Sequence, residues 1–217
     1  MKSPIISLSI ISILLFLAFG FTACSSSSEP TLNSSDALSK YDPEVQTVWG
    51  DISDEEEAGL IFMREEEKLA RDVYLTFHSQ FGLRVFDNIS KAEQVHMNAI
   101  KVLLDRYEIE DPVGENGIGV FVNEDLQNLY DALIEQGNVS AEAALEVGGI
   151  IEEVDILDLK EYLTGVDGNW DIARVYTNLE RGSENHLRAY VWNLKRLGVI
   201  YEPHYLDQQT YDDIINR

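Results

Sequence analysis

Between Asp54 and Phe77 the apolar residues Leu60, Met63, Ala70, Tyr74 and Phe77 return at helical spacing in a stretch otherwise dense in Glu, Ala, Arg and Lys. That pattern predicts a long amphipathic helix capped by Ser53, with Asp54, Glu55, Glu56 and Glu57 as a solvated first turn favoured by the helix dipole. A second helix is predicted from Ser90, which with Glu93 three residues on reads as a capping box, through Ile100, Leu103 and Leu104 to Tyr107. Asp111-Pro112 and the glycines 114, 117 and 119 make residues 108–122 a loop. A shorter helix is predicted over 123–136, with Leu126, Leu129, Tyr130 and Leu133 inward. Ser140 caps a further helix through Tyr162, and the last long helix runs from Gly168-Asn169 to about Leu197, where Gly198 closes it. Pro203 marks a tail. No segment sustains period-2 alternation between hairpin turns, so the expected class is all-α: a four-helix bundle with a short extra helix in the crossover between the second and third long helices.

The first residues differ in kind. Lys2 gives a positive start, Ile5 to Phe21 is almost wholly apolar, and the run closes at Phe21-Thr22-Ala23-Cys24. This reads as a secretory signal. Its end resembles the lipobox of bacterial lipoproteins, where a small residue precedes a cysteine that becomes the lipidated first residue; Phe21 stands where that pattern prefers Leu. An uncleaved transmembrane anchor is the competing reading, because the apolar run approaches the roughly 20 residues that span a bilayer. The expected organisation is a signal over 1–23, a flexible Ser-rich tether over 24–45, a helical bundle over 46–201 and a tail over 202–217. Lipid on Cys24 would hold the domain at a membrane of the bacterial cell envelope, outside the cytoplasm.

Composition narrows the partners. The chain of 217 residues carries 39 Asp and Glu against 16 Lys and Arg, a net charge of −23. So acidic a surface excludes nucleic acid, whose binding depends on Lys and Arg neutralising phosphates. Metal cations and basic surfaces are better matched. Cys24 is the only cysteine, which excludes structural disulfides, zinc-thiolate sites and a buried cysteine nucleophile. No Gly-x-Ser-x-Gly and no phosphate-cradling Gly-rich loop appear, so a conventional hydrolase is a poor reading. Any metal must be held by carboxylates and the few histidines.

Those residues fall on faces that should be buried. The inward stripe of the second helix reads Ile89, Glu93, His96, Ile100, Leu103, Tyr107, and that of the last long helix reads Ile172, Tyr176, Leu179, Ser183, His186, Tyr190 with Glu184 one position round. On the first helix Glu67 lies on the Leu60, Met63, Ala70, Tyr74 stripe and Glu66 on the neighbouring one; on the third long helix Glu152 and Asp155 share a face with Leu145, Gly148, Leu159 and Tyr162. An ionised carboxylate in a core is costly unless paired or bound to metal. Two outcomes stay open: a metal site, or a degenerate bundle held by Glu–His and Glu–Arg pairs.

This constellation resembles the ferritin-like di-iron carboxylate proteins, in which two helices give a Glu each and the other two give Glu-x-x-His, all pointing into the bundle. The strings Phe62-Met63-Arg64-Glu65-Glu66-Glu67-Lys68-Leu69-Ala70-Arg71-Asp72-Val73-Tyr74, Glu93-Gln94-Val95-His96-Met97 and Gly182-Ser183-Glu184-Asn185-His186-Leu187-Arg188-Ala189 are similar to the DUF2202 family, a ferritin-like group. The resemblance implies metal ligands at Glu67 (or Glu66), Glu93, His96, Glu152 and His186, holding one or two ions of iron or manganese per chain. It departs at one place: Glu-x-x-His would put Glu at 183, where this chain has Ser183. Either Glu184 swings in, Asp155 substitutes, or the second metal position is weak or absent.

Oxygen and imidazole ligands suit iron and manganese, and open coordination positions admit dioxygen or peroxide. One expected function is therefore an envelope-anchored redox protein that reduces peroxide or oxidises Fe(II). The alternative is a non-catalytic acidic lipoprotein acting as a binding or scaffold module. A homodimer is left open, and a closed ferritin cage is disfavoured by the tether and the inserted helix.

Overall fold

Ser53 closes a capping box with Glu56: its hydroxyl accepts from the Glu56 N–H at 3.2 Å, and the Glu56 carboxylate accepts from the Ser53 N–H at 2.9 Å. The helix started there, α1 (Asp54–Phe81), ends where Gly82 turns left-handed at φ 66°. The computed structural model describes residues 51–217; the expected signal and tether, with Cys24, lie outside the described residues. After α1 come α2 (Arg84–Arg106), α3 (Glu124–Gly137), α4 (Ala141–Gly165), α5 (Trp170–Arg196) and α6 (Gln208–Ile215). No strand occurs among the described residues, and the fold is all-α.

Three local expectations change. Helix α2 begins at Arg84, behind Leu83, which makes no side-chain cap bond; Ser90 is interior and bonds the Asp87 carbonyl at 3.0 Å. Glu93 is thus no capping carboxylate and is free to face inward. Glu56, expected in a solvated first turn, is buried and accepts from Asn169 at 3.1 Å, fastening the start of α1 to the start of α5. Residues 202–217 contain α6, which packs on α5, while Tyr201, Leu206, Tyr211 and Ile214 join the core.

The four long helices pack as a ring of neighbours, α1 on α2, α2 on α5, α5 on α4 and α4 on α1, while α3 covers α1 and α4. Two apolar clusters fill the interior. One gathers Val73, Tyr74, Phe77, Phe86, Leu145, Leu187 and Tyr190. The other gathers Leu60, Met63, Ile100, Leu103, Leu159, Ile172 and Tyr176. Between these clusters along the chain lie Glu67 on α1, Glu93 and His96 on α2 and His186 on α5, while on α4 Glu152 lies between Leu145 and Leu159. Apolar burial on both sides stabilises the helices; the polar layer between them must satisfy itself.

Candidate metal centre

Each long helix contributes to the layer from mid-length, where its two flanking apolar groups fix its rotation. Glu67 enters from α1, Glu93 and His96 one turn apart from α2, Glu152 from α4 and His186 from α5. The ligand atoms of Glu67, Glu93 and His96 lie within 4.8 Å of one another, as do those of Glu93, Glu152 and His186. Glu93 belongs to both trios. Its Oε2 is 2.8 Å from His96 Nδ1 and its Oε1 is 2.8 Å from His186 Nδ1. Glu67 Oε2 lies 3.2 Å from His96 Nδ1, and Glu152 Oε2 lies 3.4 Å from His186 Nδ1. The imidazole rings stack at 5.4 Å. Behind them Tyr74 donates to Glu152 Oε1 at 2.6 Å, and the Tyr190 ring lies 5.3 Å from that of Tyr74.

The layer is graded in depth. The side chains of Glu67, Glu93 and Glu152 are 2% exposed, whereas those of His96 and His186 keep 13% and 11%, so the histidines form the rim facing solvent. On α5, Gly182 makes room for one of them: a Cβ there would stand 2.6 Å from His96 Cε1 and Nε2.

The electrostatics follow from burying these groups together. Burial would raise the Glu93 carboxyl, but the imidazoles of His186 and His96 hold it down at about 2. Burial works against an imidazolium at His96, yet the Glu67 and Glu93 carboxylates outweigh it and push the ring up to about 12. His186 is carried to about 10 against its burial by Glu93 and Glu152. Burial wins at Glu67 and Glu152, which are held at about 7 despite their histidines. Without metal, the layer binds protons where cations could sit.

The donor set fits a cation. Glu67 Oε1, Glu93 Oε1, Asp155 Oδ1 and His186 Nδ1 are buried without a hydrogen-bond partner among the described residues. Orphaned atoms of this kind are rare in a folded interior and call for an explanation such as an ion. Oxygen and imidazole donors together suit iron and manganese.

The alternates separate clearly. Glu66 turns away from the trios toward Asp158, and burial together with the Asp158 and Asp155 charges keeps its carboxyl well above the usual range. Glu184 pairs with Arg217 at 2.9 Å. Asp155 stays with the layer, accepting from the Ser183 hydroxyl.

Other buried charges escaped the sequence pattern. Lys68 and Asp72 form a fully buried pair on α1 that also bonds the Gly117 carbonyl at 2.7 Å and the Gly119 N–H at 2.9 Å. Glu65 accepts from Val122 N–H at 2.6 Å and Asn123 N–H at 2.9 Å. Together they fasten the long connection ahead of α3 to α1. Glu153 does the same for the C-terminal segment, accepting from the N–H groups of His204, Tyr205 and Leu206 and from the Tyr201 hydroxyl. The only available signal was an acid or lysine at a helical position that ought to be inward.

An all-helical protein with a carboxylate and histidine layer across its core is thus the class that fold and site define. The chain belongs to the DUF2202 family: residues 56–217 match the model described as an uncharacterized protein domain. It is 50% identical over 165 residues to the uncharacterized protein MJ0754 of Methanocaldococcus jannaschii, covering 76% of this chain and 89% of that protein. The fold is similar to the crystal structure of hypothetical protein MJ0754 from Methanococcus jannaschii, with a TM-score of 0.76, 49% identity, and coverage of 77% of this chain and 95% of that one.

Proposed function

We propose that this chain is a ferritin-like four-helix bundle whose polar layer binds one or two transition-metal ions, iron or manganese, through Glu67, Glu93, His96, Glu152 and His186. The observation that carries the reading is Glu93, which gives one oxygen to each of two histidines and so joins two ligand trios. Bound there, such ions supply one-electron redox chemistry of the kind that reduces peroxide or oxidises Fe(II) as substrate. The chain's own residues set the conditions. Glu93 spans the two positions, the Tyr74 hydroxyl fixes the orientation of Glu152, and the apolar clusters on both sides keep bulk water from the carboxylates. An anchor at Cys24 would hold this centre at the bacterial envelope, outside the cytoplasm.

A second reading, a non-catalytic acidic lipoprotein with a degenerate site, is favoured by the 3.2 Å hydrogen bond between Glu67 and His96, a pair that partly satisfies itself. Metal content per chain separates the two. After anaerobic loading with Fe(II) or Mn(II) and desalting, one or two ions should remain on the protein and none on a His96→Ala, His186→Ala variant. Retention of no metal by either protein refutes the metal reading.

A further inference from the structure

In the sequence, Ser183-x-x-His186 on α5 stands where the repeat of Glu93-x-x-His96 on α2 would supply another carboxylate. The position of Asp155 answers that shortfall. It lies on α4, diagonally across the ring from α2, and is 5% exposed. Its Oδ2 accepts from the Ser183 hydroxyl, while its Oδ1 is buried with no hydrogen-bond partner among the described residues. Its charge is felt with those of Glu67, Glu152 and Glu93, residues drawn from both trios. Ser183 thus holds an acid of the neighbouring helix at the place where its own side chain supplies no carboxylate.

Resting on the metal-binding reading above, we propose that Asp155 is a further metal ligand, completing the second metal position from α4. Charge supports it. With neutral histidines, the carboxylates of Glu67, Glu93, Glu152 and Asp155 together balance two divalent cations, whereas without Asp155 a net positive charge is left in the core. An unpartnered carboxylate oxygen has no structural use there, but it is what a ligand needs before its ion arrives.

The test is Mn(II) titration of the full chain, read by bound metal per chain and by electron paramagnetic resonance, which distinguishes a coupled pair of ions from an isolated one. The wild type should take two coupled Mn(II). Asp155→Asn should keep one, with an isolated-ion spectrum and the second ion weakened by at least about tenfold. Its metal-free thermal midpoint should be unchanged or raised, because the amide replaces an acid that burial and the neighbouring carboxylates disfavour; a purely structural Asp155 would lower it. Ser183→Ala, which keeps the carboxylate and loses its holder, should weaken the second ion severalfold. Two coupled ions in Asp155→Asn at wild-type affinity overturn the proposal and leave the metal reading intact. No metal on the wild type overturns both, and a wild type that takes one ion overturns the proposal alone. Should Asp155→Asn not fold, unchanged second-ion affinity in Ser183→Ala overturns it.

Discussion

His186 Nδ1 and Glu93 Oε1 lie 2.8 Å apart, yet neither atom has a hydrogen-bond partner among the described residues. They are close without being aligned on each other. Both atoms face the same small space, and a cation beside them that displaces the imidazole proton satisfies both. Leaving them unsatisfied in a core costs about 1–3 kcal/mol per group, more where charge is involved. The layer therefore weakens the metal-free fold, and metal binding should restore what it costs.

Thermal stability should report this directly. Mn(II) at a hundred times its dissociation constant adds about 2.7 kcal/mol to the folded state, which for a chain of this size raises the midpoint by roughly 5–10 °C. Differential scanning calorimetry against Mn(II), with NaCl at matched ionic strength as control, measures it. An equal response to both salts would mean surface charge screening and no site.

Metal uptake should strengthen as pH rises. In the metal-free protein the carboxylates hold a proton on His96 up to about 12 and on His186 up to about 10, so both rings are protonated at neutral pH. An ion must displace those protons, and competition from them grows as pH falls. Calorimetric titration with Mn(II) in buffers of different ionisation enthalpy should show net proton release, with affinity rising across pH 6–8. Proton uptake on binding would be incompatible with ligation by the histidines.

Two glycine substitutions separate site from fold. Gly182→Ala puts a methyl 2.6 Å from His96 Cε1 and Nε2, so it should displace the ring and weaken metal binding with little loss of helix content. Gly137→Ala puts one 2.1 Å from Phe77 Cζ, inside the apolar cluster, and should cost about 1–3 kcal/mol of stability while leaving metal content unchanged. Denaturant unfolding and metal analysis on both variants check the contrast. Loss of metal from Gly137→Ala alone would reverse it.

Tyr74→Phe removes only the hydroxyl that donates to Glu152 at 2.6 Å. Partners that orient a ligand are worth roughly tenfold to a hundredfold in metal affinity. A loss at the lower end is expected here, because Glu152 keeps its contact with His186. Equilibrium competition with a chelator measures it, and affinity equal to wild type would mean that the Tyr74 hydroxyl does not position a ligand.

Much of the layer was legible because each of its side chains shares a helical stripe with core residues: Glu93 and His96 lie between Ile89 and Ile100, and His186 lies between Leu179 and Tyr190. Periodicity fixes a face but not a register, so Glu66 and Glu67 stayed ambiguous until packing turned Glu67 toward His96 and Glu66 toward Asp158. The start of α2 was misread because Ser90 and Glu93 imitate a capping box, while the actual cap at Leu83 carries no side-chain signal. Helix α6 was missed because eight residues with Tyr211 and Ile214 buried give too short a period to see. Lys68, Asp72 and Glu153 are buried only because a loop or the C-terminal segment folds over them, and spacing along one helix does not encode that.

Glu153→Ala offers a control, because its carboxylate faces the C-terminal segment and not the layer. It leaves three backbone N–H groups and the Tyr201 hydroxyl without their acceptor, at about 1–3 kcal/mol per unsatisfied group before relaxation. Hydrogen exchange should show residues 199–217 opening more readily than the four long helices, with metal content retained. Uniform opening of the whole chain would show that this segment is part of one cooperative unit.

The most direct measurement is anomalous diffraction from crystals grown with Mn(II) and recorded at an energy where manganese scatters strongly. Two peaks are expected, one beside Glu93 Oε2 and His96 and one beside Glu93 Oε1 and His186. Well-ordered side chains with no anomalous peak in the layer, under conditions that saturate manganese binding in solution, would contradict the central claim that this core is a metal centre.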